Sequence, residues 1–303
     1  MDHVTATRFS GVWLPIVTPF SDGEIDGPSY DLLVEHYVEV GVDGLVLLGT
    51  TGESPTVDDS EADHLIDRTV AVAAGRLPIL VGVGGNDTRK VVKAVERVER
   101  HAVQGILSVC PYYSRPSQDG LYEHFACVAE ATSRPVLIYN IPYRTGVNLS
   151  NETLLGLAEL PTIAGAKDSS GNLAQSLDLL RRRPEGFAVL TGDDAHFFTT
   201  LAHGGDGGIL ASAHVDTEAF LEVYRRMAAN DHVGARAVWS RLEPLVALLF
   251  KEPNPMPIKH CLWRRGLIRS AECRLPLTRV SESLGTALDR MTAAASVAVQ
   301  AAP

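Results

Sequence analysis

The sequence predicts an α/β fold, a (β/α)8 TIM barrel carrying a C-terminal helical extension. Three observations lead there. Short runs rich in Val, Ile and Leu recur about eight times in roughly the first 215 residues, each followed by a longer stretch with helical spacing, as strands and helices alternate in such a barrel. The runs are continuously apolar rather than alternating, which is how parallel strands buried on both faces read. The competing doubly wound open sheet needs a Gly-rich phosphate loop after its first strand, and TPFSDGEID is not one.

In chain order the strand candidates are VWLPIVT, DGLVLLG, LPILVGVG, GILSVC, PVLIYN, TIAGAK, FAVLTG and DGGILA. Between them, Ser29 to Val40 and Thr88 to His101 show clear helical spacing. After Ala213 the strand signal stops: 217–250 and 280–300 read as helices, separated by the Pro-rich EPNPMPIKH. The organisation is therefore a barrel over 1–215 and a helical region over 216–303, with no linker that demands an independent fold. Whether the helical region covers the barrel or packs between subunits is open at this point.

The 303 residues are 45% hydrophobic and 21% charged, an ordinary globular balance. A net charge of -10 argues against nucleic acid or an anionic membrane as partner. The two dense basic clusters, Arg181 to Arg183 and Trp263 to Arg265, are short and read as solvated helix ends. Four cysteines without a CxxC pair read as reduced thiols of a cytoplasmic protein. The start MDHVTATRFSG lacks the basic and apolar regions of a secretory signal, and no apolar run approaches membrane-spanning length.

Catalytic groups of a parallel barrel sit on the loops after the strands. The second such loop is Gly49-Thr50-Thr51-Gly52-Glu53-Ser54, which either gathers amides and hydroxyls around a carboxylate or simply caps the next helix. The fourth and fifth loops carry Tyr113 and Tyr139 with flanking prolines, and Arg144, which could grip a carboxylate. The sixth strand ends in Lys167. A desolvated lysine becomes a neutral amine able to attack a carbonyl and form an imine, an electron sink for making or breaking the neighbouring carbon–carbon bond. The other reading is a lysine paired with Asp168 or a neighbouring carboxylate. Asp193 or Asp194 reads as a helix cap, as does Asn86 or Asp87, and ten scattered histidines show no metal-ligand spacing.

Together GTTGES, PYYSRPSQDG, YNIPYRTG, AGAK and EPNPMPIK resemble the dihydrodipicolinate synthase/N-acetylneuraminate lyase family of Schiff-base aldolases, over about Gly11 to at least Leu277. The resemblance implies a barrel with a C-terminal helical extension, typically tetrameric, working on a 2-oxo acid through a lysine imine without another cofactor. It assigns imine formation with pyruvate to Lys167. Thr50, Tyr139 and Tyr113 become a proton relay, Tyr113 reaching into a neighbouring subunit, which requires at least a dimer. Thr51 and amides of its loop, including Gly52, would hold the pyruvate carboxylate; Ile209 would line the pocket and Arg144 would bind the second substrate's carboxylate.

PYYSRPSQDG and Arg144 resemble the synthase branch, which condenses pyruvate with aspartate semialdehyde to 4-hydroxy-tetrahydrodipicolinate in lysine and diaminopimelate biosynthesis. Two local features depart from that branch. Asp168-Ser169-Ser170 follows the lysine where Glu-Ala is common, placing polar groups beside the imine, and Pro15 stands in the first strand, removing a ladder donor. A third concerns regulation: lysine-inhibited members carry a glutamate at the position of Lys90, with histidines around Asp59 and Ala62, so a cation at Lys90 predicts insensitivity to lysine. The nearest rival is a paralogue on the same scaffold, an aldolase or dehydratase for another 2-oxo acid such as a 2-keto-3-deoxy sugar acid. A carboxylate sensor without catalysis has no use for the proton relay, and a metal-dependent aldolase lacks its ligand spacing.

Overall fold

The computed structural model describes residues 9–300, so most of the N-terminal stretch read for a leader and the last three residues lie outside the described part. Eight parallel strands close into a barrel: β1 (Gly11–Pro15), β2 (Gly44–Leu47), β3 (Ile79–Val83), β4 (Gly105–Val109), β5 (Val136–Asn140), β6 (Ile163–Asp168), β7 (Ala188–Thr191) and β8 (Gly207–Ile209). Each lies inside or within a residue of its expected apolar run. Each pairs with its sequence neighbours, and β8 closes on β1 with Gly11 opposite Gly207.

Helices α1 (Gly27–Val40), α2 (Asp59–Ala73), α3 (Thr88–Val98), α4 (Gln118–Glu130), α5 (Asn151–Leu157), α6 (Leu173–Arg182), α7 (Phe197–Ala202) and α8 (Thr217–Ala228) follow the strands in turn. Their starts are written in the sequence. Asp58 caps α2 by accepting from Ser60 and Glu61, while Glu61 reaches back to the Asp58 amide, a reciprocal box in which losing the cap costs about 1 kcal/mol. Asp87 caps α3, whose Val91, Val95 and Val98 are buried on one face.

The side chains form two cores. Trp13, Val46, Leu80, Leu107, Leu137 and Leu190 fill the barrel interior, and a larger cluster lies between strands and helices. Truncating a fully buried leucine such as Leu137 would cost about 2–5 kcal/mol. The barrel interior admits Trp13 because Gly44 faces it; a Cβ there would lie 2.3 Å from the indole.

The region read as the extension, 216–303, opens with α8, the eighth helix of the barrel, and its later helices pack on that helix and its neighbours. α9 (His232–Leu249) packs along α8, and Trp239 stacks within 6.2–6.3 Å of Phe220 and Phe197 from the barrel helices. α10 (Met256–Arg264) and α11 (Glu282–Gln300) complete it. Two features differ from the sequence reading. The Pro-rich EPNPMPIKH contains the start of α10, because Pro257 sits in a first turn whose N–H groups need no helical partner. A small hairpin, Phe20–Ser21 with Glu24–Ile25, follows β1. Pro15 is the last residue of β1; the ladder keeps its register past it, with the Ile16 N–H on Val46 O at 3.0 Å.

No helix among the described residues is long and apolar enough to cross a membrane, and no group of three or more metal-ligating side chains gathers among them.

Candidate active site

Lys167 is the penultimate residue of β6, next to Tyr139 in the β5–β6 register, and both side chains are buried at the C-terminal end of the barrel. Lys167 Nζ stands 4.1 Å from the centre of the Tyr139 ring. It makes no salt bridge among the described residues. Burial pushes its pKa down to about 8, with Arg144 adding to the depression and Asp194 opposing it. An amine held there is partly neutral near neutral pH and therefore nucleophilic.

The ion pair with Asp168 does not form. Alternation along the strand sends Asp168 to the other face, where its carboxylate accepts from the Ser170 N–H at 2.9 Å and from the Ser176 hydroxyl. Of the polar groups expected beside the amine, Ser169 and Ser170 line the cavity and Asp168 does not.

That cavity, about 340 Å³, brings together Thr50, Thr51, Tyr139, Arg144, Lys167 and Ile209. Six of the eight residues singled out in the sequence thus share one space. Burial raises the Tyr139 phenol to about 12, with the Ser169 hydroxyl, Arg144 and the Thr50 hydroxyl drawing it back. The Ser169 hydroxyl lies close to that phenol, yet makes no hydrogen bond of good geometry. Arg144 is exposed at the rim, its guanidinium 4.9 Å from the Tyr143 ring centre and free of any salt bridge among the described residues.

The other two lie elsewhere. Tyr113 is 89% exposed, outside the cavity of its own chain, on a left-handed backbone (φ 74) tied by its N–H to Thr145 O at 3.2 Å. Gly52 is a correction: its N–H turns back to Gly49 O at 3.1 Å, and its carbonyl accepts the Thr18 hydroxyl at 2.8 Å. The residue shapes the loop and leaves no amide for a ligand. A Cβ on it would crowd Ile16 O and Leu48 N at 3.2 Å.

Four residues of the site escaped the sequence reading. Gly192 leaves space for the lysine, Asp194 is a buried carboxyl in the same cavity, and Asn254 arrives from the extension to donate to Thr51 Oγ at 2.9 Å. Glu53 is buried beneath the loop in an ion pair with the fully buried Lys259. Helix capping in this region belongs to Asp193, which accepts from the Ala195 N–H. Asp194 instead accepts from the Ser212 N–H at 2.6 Å, and burial lifts its pKa to about 6. A second cavity, about 490 Å³, shares Thr50, Tyr139, Arg144 and Asn254 with the first and runs outward toward α2 and α3.

A buried lysine stands at the C-terminal end of the sixth strand of this (β/α)8 barrel with hydroxyls in the same cavity, and a profile described as the Dihydrodipicolinate synthetase family matches residues 8–295. The chain belongs to that family. It is 47% identical over 283 residues to 4-hydroxy-tetrahydrodipicolinate synthase 2 of Clostridium acetobutylicum, covering 93% of this chain and 99% of that one. Among solved structures, a monomeric dihydrodipicolinate synthase variant superposes with a TM-score of 0.92 at 38% identity, covering 94% of this chain and 96% of the other. The dihydrodipicolinate synthase of Acinetobacter baumannii, solved in complex with pyruvate, gives 0.92 at 36%, covering 95% and 99%.

Proposed function

We propose that the chain condenses pyruvate, held as an imine on Lys167, with aspartate semialdehyde to give 4-hydroxy-tetrahydrodipicolinate. The observation that carries this reading is Lys167 itself: a buried amine at a strand end, in no salt bridge among the described residues, with its pKa near 8 and a phenol beside it. The substrates follow from the family, whose relatives bear the synthase name.

The chemistry follows from these groups. Neutral Lys167 Nζ attacks C2 of pyruvate, and the carbinolamine loses water to leave the iminium. The iminium withdraws the electron pair of a C3–H bond, giving an enamine as the proton departs through Tyr139 and Thr50. The enamine carbon bonds to the aldehyde carbon, whose oxygen takes up a proton. The amino group of the second substrate then adds to C2 and displaces Lys167, closing the ring. One water is released per turnover and no oxidant or cofactor is consumed, because the imine is the electron sink.

Thr51 holds the pyruvate carboxylate, Ile209 lines the far wall, and Arg144 at the open rim receives the carboxylate of the aldehyde substrate. Tyr113 completes the relay of a second copy: its nearly bare ring suits a homodimer at least, within the homotetramer the family resemblance implies. Three buried free thiols, Cys110, Cys261 and Cys273, suit a reducing cytoplasm.

Borohydride trapping with pyruvate, followed by peptide mapping, tests the reading, with Lys167→Ala as control. The expected result is a reduced adduct on the Lys167 peptide, and turnover with aspartate semialdehyde in preference to other aldehydes. An adduct formed only with a longer 2-oxo acid would favour the paralogous aldolase instead.

A further inference from the structure

We infer that Asn254, carried by the C-terminal extension, is a positioning residue that fixes the Thr51 hydroxyl as a hydrogen-bond donor toward the substrate carboxylate. The inference rests on the functional reading above for the identity of that carboxylate. Asn254 is only 7% exposed and lines both cavities. Its amide nitrogen donates to Thr51 Oγ at 2.9 Å, and its own carbonyl oxygen is buried with no hydrogen-bond partner among the described residues.

A hydroxyl has one proton to give. Once Thr51 Oγ accepts from the amide, that proton is directed elsewhere, and no acceptor for it occurs among the described residues. A carboxylate can only accept, so a hydroxyl of this polarity binds it and one of the opposite polarity repels it. Turning the amide over would spend the Thr51 proton on the Asn254 carbonyl and leave both N–H donors of the buried amide unpaired, where the observed orientation pairs one of them with Thr51 Oγ. The observed arrangement is therefore the one that leaves the Thr51 proton for the anion.

The segment bearing Asn254 cannot drift. Lys259, five residues on, is buried against Glu53 of the same loop as Thr51, and its Nζ also donates to Glu272 O at 2.8 Å. Glu53 in turn accepts the Arg274 N–H at 3.0 Å. The loop that meets the carboxylate is thus gripped from the extension at Thr51 and at Glu53.

The test compares full-length wild type with Asn254→Ala, Asn254→Asp, Thr51→Val and the Thr51→Val/Asn254→Ala pair. The first readout is the pyruvate concentration that half-saturates borohydride trapping. The second is calorimetric binding of lactate, which has the carboxylate but no carbonyl to form an imine. Asn254→Ala should raise the half-saturating pyruvate roughly 10-fold, as loss of a hydrogen bond to a charged group does. Asn254→Asp should raise it roughly 100-fold, because its carboxylate captures the Thr51 proton and adds a like charge. Lactate binding should weaken in the same order, with kcat at saturating pyruvate within about threefold of wild type, consistent with loss of uniform binding. The double variant should be no worse than Thr51→Val alone. Additive losses in the pair, or an Asn254→Asp protein that binds lactate and pyruvate like wild type, would overturn the inference. Failure of wild type to trap pyruvate, with the lactate series as expected, would overturn the functional reading while sustaining this one.

Discussion

Gly192 faces Lys167 so closely that a Cβ placed on it would lie 2.3 Å from Lys167 Cε and 2.4 Å from the Ser169 hydroxyl. The lysine therefore reaches its position beside Tyr139 only because the neighbouring strand end bears no side chain. Gly192→Ala should displace the amine, and a displacement of about 1 Å can cost around 100-fold in rate. Its backbone conformation is open to alanine, so the protein should still fold, with a stability loss of about 1–3 kcal/mol from the overlap and a larger loss in pyruvate trapping.

The pH dependence of imine formation should report Lys167. With a pKa near 8, about one chain in ten carries the neutral amine at pH 7, against roughly one in three thousand for an unperturbed lysine. Trapping rates should fall about tenfold per pH unit below 8 and level off above it. Asp194 opposes the depression by favouring the charged amine. Asp194→Asn removes that charge, so the midpoint of the profile should move to lower pH; a midpoint unchanged or moved upward would contradict the assignment.

The buried Glu53–Lys259 pair should matter most when broken on one side. Lys259→Met leaves the Glu53 carboxylate buried without its partner, which typically costs about 3–5 kcal/mol. Adding Glu53→Gln should restore part of the melting temperature. Thermal denaturation of the two variants beside wild type measures the difference.

Lysine should not inhibit. Lys90 is exposed on α3, so an ammonium effector approaching it meets a like charge. Initial rates in millimolar lysine should match those without it, at an ionic strength held constant. Strong inhibition would show that an effector site exists that Lys90 does not govern.

The barrel was legible because parallel strands covered on both faces must be apolar at every position, so β3 as LPILVGVG or β5 as PVLIYN stands out without any long-range knowledge. Lys167 was legible for the complementary reason, as a charge at the end of such a run. The two-residue strands at Phe20 and Glu24 are too short to show a period. α10 was hidden by prolines that mark its first turn but read equally well as a loop. Asn254 and Thr51 are 203 residues apart, and no local pattern announces that they touch. Gly192 carries no signal of its own in the sequence, since its use depends on which side chain faces it across the sheet. Gly52 shows the converse: a motif glycine whose amide is committed to its own turn.

The reach of Asn254 back to Thr51 also sets an order of events in the life of each molecule. A chain leaving the ribosome has all eight strands once Ile209 has been added, yet the loop that receives the carboxylate then lacks both of its holds from the extension. A chain that stalls or is clipped before residue 254 would have its amine in place but neither hold on the loop that receives the carboxylate. The extension thereby ties the set of the carboxylate-binding loop to the last part of the chain to be made.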